Sequence, residues 1–454
     1  MKAILTTTNF QAGQRWHRTE VESGPVDCTR QVSVYPQLRF QQFQGFGGAF
    51  TEAAAMCWKG LLPERRQAFL DACFGPDGLS YTLGRVHMGS CDFALDNYAC
   101  QSGPGDEGFH TERDDENLIP MILAAQKTAG TPIGLMLSPW SPPAFMKTNG
   151  DMNHGGALKP EYRARWAECM ANYAAHYRAA GCDVRLMTVQ NEPAAVQIWD
   201  SCIYSAQEEG EFAVGFLTPA LEKAGCGDVK ILAWDHNKEL LLSRAAGTLA
   251  VPGAAEAVDG FAFHWYTGDH FDAVRLAKDR WPDKELWFSE GCVEYSRFDG
   301  MTPLQKAEMY AHDILGNLNA GISGSIDWNL LLDAKGGPNH VGNFCEAPVM
   351  LTEDGSDFIL QPEYYYIGQF SRFIRPGAVR LGVSGWTSDL EVTAFESPDG
   401  SHVVAALNRT EQALPVSVTL DGQEGFGFVL APHSAATLQS TVPAASIAQR
   451  MSKR

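Results

Sequence analysis

Two glutamates in this chain stand where an acidic side chain has a use. Glu192 closes the run Thr188-Val189-Gln190-Asn191-Glu192-Pro193, after the apolar stretch Val184 to Met187, and Glu290 closes Leu286-Trp287-Phe288-Ser289-Glu290-Gly291. Each run is short and apolar and reads as a buried strand that stops on a carboxylate; Pro193 cannot continue a ladder. A charge at the mouth of a core strand is costly unless it is paired or used. Paired carboxylates hydrolyse glycosides: one serves as acid and base, and the other is a nucleophile at about 5 to 5.5 Å or, further off, a base that admits a water. Either glutamate alone could equally cap the helix that follows it. Two of them, roughly a hundred residues apart and each at a strand end, favour the chemical reading.

Other predicted strand ends carry what a sugar pocket requires, hydrogen-bonding groups for hydroxyls and a flat ring for the apolar sugar face. They are Arg85 to His87 running into Ser90-Cys91-Asp92, Ser138-Pro139-Trp140, Trp234-Asp235-His236-Asn237, His264-Trp265-Tyr266 and Asp327-Trp328-Asn329. Any single Trp is more often core than platform, but four strands ending alike point to a pocket. A metal-dependent hydrolase is the chemical rival, because His87, His236, His264, Asp92 and Asp235 all lie near strand ends. Strand one offers no His-x-His pair and the histidines lack close ligand spacing, so no metal and no organic cofactor are expected.

Positioning such groups requires a repeating scaffold. From Gln44 the chain alternates apolar strand, Gly or Pro punctuation and helix. The strands are Gly45 to Phe50, Gly84 to Gly89, Ile133 to Ser138, Val184 to Asn191, Ile231 to Asp235, Gly260 to Trp265, Leu286 to Glu290 and Ser323 to Leu330. The spacing predicts a helix from Pro160 closed by Gly181, with Tyr162, Trp166, Met170, Tyr173 and Tyr177 on the face packed against the strands. Eight such repeats imply an α/β fold, a closed (β/α)8 TIM barrel over residues 41–375, with reactive groups at the C-terminal strand ends. Residues from about 14 to 40, and Leu390 to Phe395, Val403 to Leu407, Val416 to Leu420 and Phe426 to Leu430, return to period two. The strands of 1–40 and 376–442 are therefore expected to build one β-sandwich domain into which the barrel is inserted, and the tail 443–454 is expected to fray.

A formal charge of −19 over 454 residues makes nucleic acid an improbable partner and favours a neutral carbohydrate substrate. No stretch is apolar for about 18 residues, so no membrane insertion is expected. Eleven cysteines without a CxxC pair fit a reducing compartment, and Met1 to Thr6 lacks the apolar core of a secretion signal, which together predict a cytoplasmic protein. An oligomeric state is not legible.

Taken as a set, several motifs resemble glycoside hydrolase family 30, the glucosylceramidase-like retaining β-glycosidases. They are Gln44-Gly45-Phe46-Gly47-Gly48-Ala49-Phe50-Thr51-Glu52, Ser90-Cys91-Asp92-Phe93, Ser138-Pro139-Trp140-Ser141-Pro142-Pro143, Gln190-Asn191-Glu192-Pro193, His264-Trp265-Tyr266, Ser289-Glu290-Gly291-Cys292 and Asp327-Trp328-Asn329-Leu330 with Gly336-Gly337-Pro338-Asn339. The resemblance runs in order from about Phe40 to Leu430. It implies Glu192 as acid/base and Glu290 as nucleophile. Asp92, Trp140, Asn191, Trp328 and Asn343 would contact the sugar, Tyr266 would sit beside the nucleophile, and Arg85 and His264 would support it. Residues Ala194 to Cys202 depart from the glucosylceramidase pattern and should wall the leaving-group side, where Trp199 either stacks on the aglycone or next sugar or is a packing residue.

The mechanism implied raises the pKa of Glu192 through burial and the charge of Glu290. The expected activity is that of an exo-acting β-glucosidase on soluble glucosides or short β-linked oligosaccharides. An endo-β-1,6-glucanase or β-xylosidase is the alternative within the family, and a non-catalytic carbohydrate-binding pseudoenzyme the alternative of another class.

Overall fold

The computed structural model describes residues 2–24, 30–422 and 425–440; the tail from Pro443 lies outside them. Eight parallel strands close into a barrel: Phe46–Phe50, Leu83–Met88, Gly134–Pro139, Asp183–Thr188, Lys230–Asn237, Gly260–His264, Glu285–Glu290 and Gly324–Asn329, strands one to eight. Their middles are mostly apolar because both faces are covered, by helices outside and by facing side chains within, and polar residues gather toward their ends. Leu83, Met136, Leu186, Leu232, Ala262, Trp287 and Ile326, one from each of strands two to eight, form a buried interior layer. Gly324 makes room for the largest of them. A Cβ there would come within 2.2 Å of the Trp287 ring.

The helical stripe is buried as its period predicts, with one exception. Trp166, Met170, Tyr173 and Tyr177 are buried on the helix Arg163–Ala179, whereas Tyr162 belongs to a preceding 3-10 turn, Pro160–Tyr162, and packs edge-on against Phe145. Gly181 follows the helix at φ 94°, a conformation that glycine adopts without steric cost.

The chain divides into two compact units, residues 46–299 with 324–359, and the described parts of 1–45, 300–323 and 360–454. The second unit holds the helices Pro303–Ala320 and Pro362–Ser371 and, among the described residues, a nine-stranded sheet. Its order is Gln14–Glu22, Lys2–Asn9, Ser434–Ser440, His402–Asn408, Glu391–Glu396, Val379–Ser384, Arg30–Gln42, Leu414–Leu420 and Phe426–Leu430. N-terminal and C-terminal strands thus interleave in one domain. Every pairing whose register is given is antiparallel except that of Arg30–Gln42 with Leu414–Leu420. A common core of Val32, Val34, Leu381, Val392, Val404, Val416, Phe426 and Leu438 holds it together.

Three of these strands lack the signals used above. Ser434–Ser440 is made of small and polar residues apart from Leu438, yet it lies between Lys2–Asn9 and His402–Asn408 and draws its stability from two ladders more than from its own propensity. Lys2–Asn9 and Val379–Ser384 are likewise defined by their partners. Among the described residues no helix is long and apolar enough to cross a membrane.

Candidate active site

Local departures from ladder geometry bring the polar groups of the barrel mouth together. Strand four ends at Thr188, earlier than the run to Asn191 suggests. The chain then turns inward, held by Val189 N–H to the Leu232 carbonyl at 2.9 Å, Asn191 N–H to Pro139 at 2.8 Å and Glu192 N–H to Asp235 at 3.0 Å. Glu192 itself adopts φ 47°, which costs a residue with a Cβ roughly 1–2 kcal/mol and persists because these bonds leave no alternative. On strand five the register with strand six slips between Trp234 and His236, so that Asp235, at φ 47°, is an extra residue turned into the barrel. Strand seven slips in the same way between Phe288 and Glu290. The inserted Ser289 donates to Asp235 Oδ1 at 2.6 Å.

Around these carboxylates lies a closed charge network. Arg85, fully buried on strand two, donates to Glu290 Oε2 at 2.5 Å, Asp235 Oδ2 at 2.7 Å, Asn191 Oδ1 at 2.8 Å and Ser138 Oγ at 3.1 Å. Tyr266 OH donates to the other oxygen of Glu290 at 2.9 Å. His264 stands between the acids, its Nδ1 3.3 Å from Glu192 Oε1 and 3.7 Å from Glu290 Oε1, and its Nε2 3.1 Å from Asp235. One oxygen of Glu192, one of Glu290 and a ring nitrogen of His264 fall within 4.8 Å of one another.

Charge sets the proton inventory. Burial would lower the pKa of His264, but the charge of Glu290 and hydrogen bonds to Asp235 and Glu192 raise it to about 9, so the ring is cationic at neutral pH. Glu192 corrects the expectation from sequence. Burial pushes it up, yet the imidazoles of His236 and His264 and the Gln197 amide, 3.3 Å from Oε2, bring it down to about 2. Burial also pushes His236 below its ordinary value, leaving it neutral near pH 7, so the lasting cation beside Glu192 is His264. A metal ion would need that ring deprotonated. As a protonated donor, His264 makes the triangle of Glu192, His264 and Glu290 a poor cation site.

Above the carboxylates a pocket of about 260 Å³ is lined by Asp92, Trp140, Asn191, Tyr266, Trp328 and Asn343, with Trp199 further along its wall. Trp140 and Trp328 stack at 5.2 Å and 24°, forming a continuous aromatic side. Asp92 accepts from the amides of Asn339 and Asn343 at 3.2 and 3.3 Å. Its burial and the charge of Glu290 outweigh those bonds and raise it to about 8. The other two strand-end tryptophans belong to the core. Trp234 is buried with its indole N–H on the Asn237 carbonyl at 2.9 Å, and Trp265 is buried against Phe288 with its N–H on Cys292 at 3.2 Å.

The pocket is also lined by Phe93, Gln197, Asn237 and Cys292, which fall within stretches singled out in the sequence, and by Glu294, Arg297 and Cys345, which sequence reasoning passed over. Glu294 and Cys345 lie on the two-residue strands Val293–Glu294 and Cys345–Glu346 and Arg297 just after the first of them, too short for any periodicity to mark. Only the position of Glu294 and Arg297 shortly after Glu290 could have drawn attention.

One oxygen of each glutamate lies within 4.8 Å of one of the other, near the roughly 5–5.5 Å of a retaining pair and short of the about 6.5–9.5 Å of an inverting one. The spacing suits direct attack by one and proton transfer by the other.

Comparison with known proteins agrees with this chemistry. Residues 43–374 match the glycosyl hydrolase family 30 TIM-barrel domain, and residues 377–438 match the family 30 beta sandwich domain. Mouse lysosomal acid glucosylceramidase is 32% identical over 95% of this chain and 88% of its own length. The crystal structure of SrfJ from Salmonella typhimurium superposes with a TM-score of 0.94 at 40% identity, covering 98% of this chain and 100% of that one. That of the endo-beta1,6-glucanase BT3312 gives 0.86 at 26% identity, covering 96% and 99%. With both of the family's domains present and in order, the chain belongs to glycosyl hydrolase family 30 and is a retaining glycoside hydrolase.

Proposed function

We propose that the chain is an exo-acting β-glucosidase that cleaves soluble β-glucosides or short β-linked oligosaccharides by double displacement, with Glu290 as nucleophile and Glu192 as acid/base. The approach of one oxygen of each glutamate to within 4.8 Å at the floor of a pocket is the observation that carries this reading. A pocket of about 260 Å³ suits a terminal sugar better than the middle of a long chain.

In the first half-reaction Glu290 attacks the anomeric carbon while the glycosidic oxygen takes a proton from Glu192. Arg85 and Tyr266 each hold one oxygen of Glu290 and fix which lone pair faces the sugar. The proton itself rests on His264, 3.3 Å from Glu192, and passing it to Glu192 converts an ion pair into a neutral pair with no change in net charge. In the second half-reaction Glu192 takes a proton from water as the water oxygen bonds to the anomeric carbon and the bond to Glu290 breaks, which releases the sugar with its original configuration.

This arrangement sets the pH dependence. The His264–Glu192 pair keeps its proton below the raised pKa of about 9 and loses it above, so kcat/KM should hold level through pH 8 and fall near pH 9. With His264→Gln, Glu192 loses its cationic neighbour and must hold the proton alone, so the alkaline limb should move down by at least about one pH unit. Initial rates from pH 5 to 10 for both proteins check this, and a limb that stays in place would exclude His264 as the proton's resting site.

The specificity is tested by a panel of 4-nitrophenyl β-glucoside and β-xyloside, laminaribiose, gentiobiose and long β-1,6-glucan. The glucosides should be turned over fastest, with single glucose units released. Internal cutting of β-1,6-glucan would overturn the exo assignment, and preference for the xyloside would overturn the sugar.

A further inference from the structure

The pocket has more polar lining than a single sugar ring uses. Glu294 and Arg297 line it as well, beyond Tyr266 and Cys292. Glu294 lies on the short strand Val293–Glu294, paired antiparallel with Cys345–Glu346, and its carbonyl accepts the N–H groups of Arg297 and Phe298 at 3.1 and 3.0 Å. Its backbone is therefore fixed.

Its side chain is only 18% exposed, and among the described residues no group donates a hydrogen bond to its carboxylate. Arg297 comes nearest, with Nε 3.7 Å away, but that guanidinium is held elsewhere, donating to the Tyr266 carbonyl at 2.5 Å and lying over its ring. A largely buried carboxylate without donors is costly, and such groups in folded proteins have partners. In the free enzyme solvent in the pocket reaches it, and a ligand that displaces that solvent must supply donors in its place. Burial and the charges of Glu192 and Glu290, opposed by Arg297, raise this carboxyl to about 7.

We propose that Glu294 and Arg297 form the leaving-group subsite and select a second sugar, whose hydroxyls donate to the Glu294 carboxylate and accept from Arg297, over an apolar aglycone. This rests on the β-glucosidase reading above and assigns the chemical class of its leaving group. A lipid or aryl group would displace the solvent at Glu294 and offer no donors in return. Apolar side chains are exposed on the loop after strand four, at Val196 and Ile198, and beside Glu294 and Cys345, at Tyr295 and Phe344, and these favour the lipid alternative.

The test compares two substrates on one protein. For the wild type, Glu294→Ala and Arg297→Leu, kcat/KM is measured on gentiobiose or laminaribiose, whichever the wild type cleaves faster, and on 4-nitrophenyl β-glucoside. The ratio of the two values cancels the fraction of each variant that is folded. It should fall about tenfold or more in each variant, as expected when hydrogen bonds to a charged group are lost. A ratio within about threefold of the wild-type value in both variants would overturn the subsite. So would a wild type that cleaves glucosylceramide in detergent micelles with a higher kcat/KM than any disaccharide. If the wild type cleaves no β-glucoside at all, the activity proposed above fails, which is a different result from an unchanged ratio.

Discussion

Glu290→Ala should lower kcat/KM for every β-glucoside by about 10⁴-fold or more, because it removes the atom that bonds to the anomeric carbon and leaves the reaction only the stabilisation supplied by the rest of the pocket. The variant should still fold. Arg85 loses one of its two carboxylate partners but keeps Asp235 at 2.7 Å and the Asn191 and Ser138 bonds. The truncation also opens space beside Tyr266 and Arg85 large enough for a small anion. Added azide should occupy it and attack the sugar from the face that Glu290 used, restoring part of the rate for an activated aryl glucoside and giving an α-glucosyl azide. Loss of under about tenfold, or a β-glucosyl azide from this variant, would place the nucleophile elsewhere.

Replacing Glu192 by Ala has a different signature, since an acid/base matters in proportion to the leaving group's need for a proton. General acid catalysis contributes typically about 10²–10⁴-fold. A loss near the top of that range is expected for a disaccharide. For 2,4-dinitrophenyl β-glucoside, whose phenolate leaves unaided, formation of the glycosyl-enzyme should be nearly as fast as in the wild type. Its breakdown should then limit turnover, because no base activates water. Azide needs no base and should accelerate that second step, yielding a β-glucosyl azide. Equal losses on the two substrates would mean that Glu192 holds the site together rather than transferring a proton.

The scaffold was largely legible because its signal is local. Each barrel strand is buried on both faces and reads as an apolar run, and the eight runs anticipated from composition correspond to the eight strands of the closed barrel. Glu192 and Glu290 stood at the ends of two of those runs, and the fold carries both into one pocket. What was not legible depends on neighbours that are distant in sequence. The slips that turn Asp235 and Ser289 inward each consist of one extra residue, which leaves no mark in composition or period.

The four strand-end tryptophans look alike in sequence, and only the register decides that Trp140 and Trp328 face the pocket while Trp234 and Trp265 face the core. The low pKa of Glu192 arises from His236, His264 and Gln197, delivered by strand five, strand six and the loop after strand four, so no single stretch contains it. In the sheet, Ser434–Ser440 owes its conformation to the strands on either side.

The most direct measurement is covalent trapping. Incubation with 2-deoxy-2-fluoro-β-glucosyl fluoride should slow breakdown of the glycosyl-enzyme enough to isolate it. The intact mass should rise by one fluoroglucosyl unit, carried by the peptide that contains Glu290 and absent when Glu290→Gln is treated in the same way. A label on any other residue, or turnover of the wild type with inversion at the anomeric carbon and no label, would contradict the account.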